Sequence, residues 1–336
     1  IFASTDANKS AGYFEKALKI ALDKGCTEIA LRTYNNLAVS LLDEEFERHF
    51  ECLDKGFELA KKAGDVSLQS WLGGNLAEMY MDMGNMDKAV FLAEESVASD
   101  RKSRSVWHLS MSLSLLSGVY RVLGDWDKAE EYGQEALNIS QRLKDFQTLA
   151  ISNWFLGWLA FDRGEYHKAK GFFEKSYEAS EKAGTRVTMW SLPSAIWTRI
   201  ELEEFAEAEN LLDSLQKLAL EIKDKVSIVF GDALKAMLFR AQKKWENSLA
   251  LFEKSVQEFD ALNARRWRVY SFAKFVLCEY ARMYLEREQE GDREKARDLL
   301  NQALEIFQKM GAKKDIEKVE AKIAFIETCL LYTSDA

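Results

Sequence analysis

Proline is nearly missing from this chain. One occurs, Pro193, in 336 residues, where average usage of about 5% would give roughly 17. Proline fixes φ and removes a backbone donor, so its scarcity excludes polyproline and collagen-like designs and favours long uninterrupted helices. It also argues against a sandwich of short strands with many proline and glycine turns. Histidine is almost as rare: His49, His108 and His167 are the whole set. The four cysteines, Cys26, Cys52, Cys278 and Cys329, show no CxxC or Cys/His spacing and are too few for a disulfide framework. No run approaches the roughly 18–20 apolar residues of a membrane span, and the first residues lack the basic-then-apolar pattern of a signal peptide. A basic excess is lacking too. Lys and Arg number 46 against 55 Asp and Glu, a net charge of −9, which counts against direct nucleic-acid binding. The expectation is an ordered, cytoplasmic protein without a membrane or nucleic-acid partner.

Catalytic motifs are missing as well. There is no phosphate loop, no GxGxxG, no HExxH and no GxSxG. His49 and Cys52 stand three apart, half of a metal site, but no second pair completes tetrahedral ligation. His49 also falls in the repeat position held elsewhere by Ala89, Ala129 and Ala169, so packing explains it better. Paired carboxylates such as Glu94-Glu95 and Glu130-Glu131 read as the solvated faces of amphipathic helices. Nothing assembles a base, a nucleophile and an orienting partner. We therefore expect no enzyme, no cofactor and no metal.

What the chain does have is a repeat. The segments GNMDKAVFLAEES, GDWDKAEEYGQEA and GEYHKAKGFFEKS begin at Gly84, Gly124 and Gly164. An apolar anchor follows two residues later, and the series extends as Phe46, Met86, Trp126, Tyr166, Phe205 and Trp245. A final unit has Arg293 at the anchor after a longer step. Ten residues beyond the anchors lie Gly56, Ser96, Ala136, Ser176, Ser255 and Ala303, with Leu215 the exception; small side chains there let two helices approach closely. Eight further on come Gly25, Gly64, Arg104, Lys144, Gly184, Lys223, Asn263 and Gly311. Glycine and asparagine tolerate the left-handed conformation that ends helices. Each unit reads as helix, turn, helix, cap. Between them the apolar residues follow a helical period, as in Ala129, Tyr132, Ala136, Leu137 and Leu143. The spacing predicts an all-α solenoid of about seven helix pairs over 26–311. Their units lie near 26–64, 65–104, 105–144, 145–184, 185–223, 224–263 and 264–311. A lone helix precedes them (10–24) and another closes the array (313–328). Residues 329–336 are similar to one reading frame of a common sequencing adapter, and we expect them to lie outside the array.

At these positions the chain resembles the tetratricopeptide repeat family. The motif of that family's first helix appears as Leu76-Ala77 and Tyr80, Leu116-Ser117 and Tyr120, and Leu156-Gly157 and Ala160. That of its second helix appears as Ala169, Phe173 and Ser176. The period is near 40 rather than 34 and the family's terminal proline is missing, which resembles the long-repeat, MalT-like subtype. The resemblance covers 10–328. It implies a right-handed superhelical α-solenoid of antiparallel helix pairs with a concave groove lined by the first helices.

By family register, that groove holds Trp71, Met111, Ile151, Trp154, Trp158, Trp190, Trp197, Phe230 and Met237. Trp154, Trp158 and Phe161 share one helical face at spacings of four and three. Half-exposed, these residues would offer an aromatic seat for a peptide or helix. Packed between tightly wound units, they would be core, as Trp126 and Trp245 are expected to be. Pro193 is expected to kink its helix or mark a late start. Two basic clusters, Arg101-Lys102-Ser103-Arg104 and Arg265-Arg266-Trp267-Arg268, either complement helix C-terminal carbonyls or meet an anionic ligand. The expected function is a scaffold that binds a protein or peptide. The alternative is an effector-sensing arm, taking a small molecule or partner, of a larger signalling ATPase, adenylyl cyclase or transcription activator.

Overall fold

An amphipathic helix pair cannot bury its apolar face alone, so pairs stack side by side. The structure, a computed structural model, describes residues 7–41, 46–264 and 268–334. Helix α1 (Ala7–Asp23) leads. The pairs follow as α2 (Thr27–Ser40) with α3 (Phe46–Ala63), α4 (Val66–Asp82) with α5 (Met86–Ser103), and α6 (Val106–Leu123) with α7 (Trp126–Leu143). Next come α8 (Phe146–Asp162) with α9 (Tyr166–Ala183), α10 (Thr185–Glu201) with α11 (Phe205–Ile222), and α12 (Lys225–Ala241) with α13 (Trp245–Ala261). The first helix of the seventh pair starts as one turn, α14 (Val269–Ser271), passes through a π-helical stretch, Phe272–Leu277, and resumes as α15 (Cys278–Arg287). Its partner is α16 (Asp292–Met310), and α17 (Lys313–Ser334) closes the array. There is no strand among the described residues. The chain is an all-α, right-handed superhelical solenoid of antiparallel pairs.

Six anchors, Phe46 to Trp245, are the first residues of second helices. Short side chains before many helices accept from the backbone three residues on: Asp65 from Leu68, Asn85 from Lys88, Asp125 from Lys128, Asp145 from Thr148 and Asp224 from Ser227. The eight unit-ending positions all take a positive φ, including Arg104 (57°), Lys144 (54°) and Lys223 (60°). There the fold imposes a left-handed turn on side chains that disfavour it by roughly 1–2 kcal/mol. The small-residue ladder is buried where each second helix crosses the first. Ser96 Oγ donates to the Ser70 carbonyl at 3.0 Å and Ser70 Oγ returns a bond to the Ser96 carbonyl at 3.2 Å. Ser176 Oγ donates to the Ala150 carbonyl at 2.8 Å.

Two expectations need correction. Helix α10 does not start late at Pro193. It begins at Thr185 and continues through the proline to Glu201. The last helix does not stop near 328 but continues to Ser334, since leucines at 330 and 331 are good helix formers.

The superhelix also touches itself. Arg268 pairs with Asp82, at the end of α4. The Phe275 ring meets Trp158 of α8 and Trp197 of α10. Met310 lies against Gly84, and Lys314 against Gly124. The seventh pair and α17 therefore lie across the inner faces of pairs two to five.

Candidate functional site

The structure divides the expected groove residues into two groups. Trp158 (5% exposed), Trp197 (4%) and Met237 (0%) are buried, as are Ile151 and Phe161. The half-exposed seat expected at these five positions is not there. The physical reason is the winding. Phe275 enters among Trp158, Trp197 and Phe230, with ring centroids at 5.5, 4.5 and 5.5 Å, and the Phe161 ring lies tilted at 4.9 Å from Trp197. The chain's own seventh pair fills that part of the groove. Trp71, Met111, Trp154 and Phe230 stay partly exposed. The side chain of Trp190 lies outside the described residues, as do Arg265, Arg266 and Trp267 of the second basic cluster. In the first cluster Arg101 pairs with Glu135 at 2.6 Å and Arg104 ends a helix.

Around Trp71 the structure adds two residues that the sequence reading passed over. The rings of Trp71, Trp107 and His108 form a triad with centroids 5.2 to 5.6 Å apart. Trp71 Nε1 donates to Asn35 Oδ1 at 2.6 Å and Trp107 Nε1 to Asp145 Oδ1 at 3.2 Å. These bonds pin both indoles while their faces remain partly open. The available signal was spacing: Trp107 lies one turn before Met111 on the same helical face.

A second feature was not expected at all. Where α8, α10, the π stretch, α15 and α17 meet, they line a half-open cavity of about 420 Å³ bearing both charge signs. Lys274 Nζ reaches Asp162 at 2.6 Å, Tyr270 Oη at 2.8 Å and Asp315 at 3.3 Å. Arg121 adds a second contact to Asp162 at 2.5 Å. Burial opposes the charge on Asp162, yet Lys274 and Arg121 hold its carboxyl down at about 2. Burial likewise works against Lys274, but Asp162 and Asp315 outweigh it and raise its pKa. Nearby, Arg240 and Arg282 meet Glu201, Glu279 and Glu286. Burial raises the Glu279 carboxyl, against the pull of Arg240. Burial pushes the neighbouring Cys278 thiol up to about 12, which favours the neutral thiol over the thiolate. Cys52 is pushed up to about 12 in the same way and donates to the Tyr34 carbonyl, a packing role. No group of three or more His, Cys, Asp or Glu suited to a metal occurs among the described residues.

A concave stack of helix pairs with a partly filled groove defines a helical-repeat binding array. Family models of the tetratricopeptide repeat match residues 74–103 and 108–182. Over those residues, about a third of the chain, it carries tetratricopeptide repeats. The "43 kDa receptor-associated protein of the synapse" of Tetronarce californica is 25% identical over 145 residues, 42% of this chain and 35% of that protein. The chain thus aligns with about a third of that relative's length. Among solved structures, a Rap protein complexed with Competence and Sporulation Factor superposes with a TM-score of 0.54 at 12% identity, over 98% of this chain and 78% of its own. Apo RapI gives 0.57 at 14%, over 89% and 98%. A signal transduction ATPase with numerous domains and a tetratricopeptide repeat sensor, from Pyrococcus horikoshii, gives 0.57 at 14%, over 97% of this chain and 54% of that one. These likenesses concern the fold.

Proposed function

We propose that the chain is a non-catalytic interaction scaffold holding a peptide or partner protein on the part of its concave surface that its own seventh pair leaves open. The observation that carries this is the partly exposed triad of Trp71, Trp107 and His108, with Met111 and Trp154 beside it by register. Aromatic anchors on a rigid backbone give large contact area at low entropic cost. The likeness to a Rap protein complexed with Competence and Sporulation Factor supports a partner held by such an array. The test is selection of a displayed peptide library on the wild-type chain, with Trp71→Ala/Trp107→Ala as counter-selection. Enriched peptides should lose at least tenfold in affinity for the double variant at unchanged helicity. Equal binding to both would overturn the assignment.

A second reading makes the array the effector-sensing arm of a larger signalling ATPase, adenylyl cyclase or transcription activator. The superposition of 97% of this chain on an ATPase with a tetratricopeptide repeat sensor supports it. Reading the coding sequence on either side of this segment tests it: an adjoining ATPase, cyclase or DNA-binding domain is the expected result.

A further inference from the structure

We propose that the first helix of the seventh pair is a displaceable internal occupant of the groove. It blocks an aromatic seat that a partner takes once the seam opens. The partner that fits is an amphipathic helix with a basic residue next to an aromatic one. The inference stands apart from the Trp71 surface, which lies on α4 and α6 and not on the helices of this seat.

Three observations carry it. The first is how the seat is filled. Trp158, Trp197 and Phe230 belong to the first helices of pairs four, five and six, and the ring that enters among them, Phe275, comes from another helix. The contacts are tilted or edge-on, the geometry aromatic rings favour. A helix laid in a groove is anchored in this way. The residue before Phe275 is Lys274, whose Nζ reaches Asp162 of α8 at 2.6 Å. The groove therefore already reads a cation and a neighbouring ring together.

The second is the backbone that delivers them. Phe272–Leu277 is π-helical, between one α turn and α15. Such single π turns are rare and recur at functional sites. Each takes about one residue more than an α turn, so a return to α geometry would rotate Arg268 and Tyr270 by about 100° against α15. Both residues belong to the seam: Arg268 pairs with Asp82, and Tyr270 Oη accepts from Arg121 at 3.5 Å. The register of this helix and the closure of the seam are coupled.

The third is what opening would leave behind. Asp82, Arg121 and Asp162 stand in the last turns of α4, α6 and α8, with Gly84 and Gly124 just beyond. The seam thus follows one rim, and small rotations shared among the pairs would part it. Opening strands neither buried charge. Asp162 keeps Arg121 at 2.5 Å, while Lys274 keeps Tyr270 at 2.8 Å and Asp315 of α17 at 3.3 Å. What is given up is the Lys274–Asp162 pair and the Lys318 bond to the Asp162 carbonyl oxygen. The desolvation of buried ion pairs offsets much of their attraction, so the charges specify closure more than they stabilise it. A partner's basic residue beside Asp162 restores the lost pair.

The test uses the whole chain, with a labelled synthetic peptide of residues 268–287 as the probe. Arg268→Glu sets two acids against each other at the seam. Its radius of gyration in small-angle X-ray scattering should rise, and it should bind the peptide at least tenfold more tightly than the wild type does. Asp82→Arg/Arg268→Glu should reclose the seam and return the affinity to the wild-type level. Within the peptide, Phe275→Ala and Lys274→Ala should each weaken binding to the open variant at least tenfold. Equal affinity of the wild type and Arg268→Glu, or no binding to either, overturns the proposal, as does equal binding of the Phe275→Ala peptide. Loss of peptide binding in Trp71→Ala/Trp107→Ala would place the peptide on that other surface and also overturn it. Should Arg268→Glu fail to fold, Phe275→Ala in the whole chain decides, since it empties the seat and leaves the Asp82 contact in place. It should bind the unaltered peptide at least tenfold more tightly than the wild type; an equal affinity overturns the proposal.

Discussion

The rings of Trp197 and Phe275 lie 4.5 Å apart at a tilt of 56°, although one belongs to the fifth helix pair and the other to the seventh. That contact turns a groove wall into core.

Its energetic consequence is measurable. Trp158→Ala and Trp197→Ala should each cost about 3–5 kcal/mol, the range for removing a buried aromatic. Trp126, expected from the repeat register to be core, is partly exposed. Trp126→Ala should cost less, and so should Trp71→Ala. Urea midpoints for the four variants check the order; a Trp126 loss equal to that of Trp158 would contradict the burial.

Two helical glycines should respond with opposite signs. A Cβ at Gly118 would lie 2.1 Å from Phe155 Cε1, whereas one at Gly171 meets nothing within 4 Å. Gly118→Ala should destabilise by about 1–3 kcal/mol through overpacking. Gly171→Ala should stabilise by about 0.4–1 kcal/mol, because it restricts the unfolded chain. Thermal melts of the pair decide it.

Asp162 should shape the acid limb of stability. Its carboxyl sits at about 2 in the folded chain, below the ordinary value near 3.9. A depressed carboxyl contributes stability that is present above the unfolded value and is lost as pH falls through the folded one. The contribution is about 2 kcal/mol at neutral pH, fading between roughly pH 5 and pH 1. Asp162→Asn leaves Lys274 and Arg121 without that charge, so it should cost about 3–5 kcal/mol and flatten the profile over that range. Denaturation midpoints at stepped pH measure both.

Glu279 should act in the other direction. Burial raises its carboxyl, so folding favours the protonated form. The associated stability is fully present below the unfolded value and is lost as pH rises through the folded one. Glu279→Gln cannot deprotonate, and the variant should lose less stability than the wild type between acid and neutral pH. Parallel stability curves for the two proteins would contradict this.

What was legible in the sequence was local. The anchors Met86, Trp126 and Tyr166 start helices because a capping side chain precedes most of them and an alanine three residues on packs beneath. Arg104, Lys144 and Lys223 were readable only by phase. Their side chains argue against a left-handed turn, and the repeat overrode them. The buried serine contacts between Ser110, Ser140 and Ser152 gave no signal, since serine reads as surface until two helices bring hydroxyls together. The aromatic stripe was correctly placed on first helices, but its exposure depended on how far seven small rotations add up. No single unit encodes that sum. The cavity was invisible for the same reason: Asp162, Lys274, Glu279 and Lys318 carry no shared motif and meet only once the superhelix closes.

That closure alters what kind of folding object this is. In an open solenoid each repeat contacts only its neighbours, so stability is a sum of nearest-neighbour terms and the ends can fray separately. Here Arg268 reaches Asp82 and Met310 rests on Gly84, so the last units share an interface with the early ones. Such long-range links raise contact order and slow folding. They also couple distant repeats, so that loosening α17 would be felt in the second and third pairs. The chain becomes a loop with one cooperative seam instead of a linear stack that unzips from its tips.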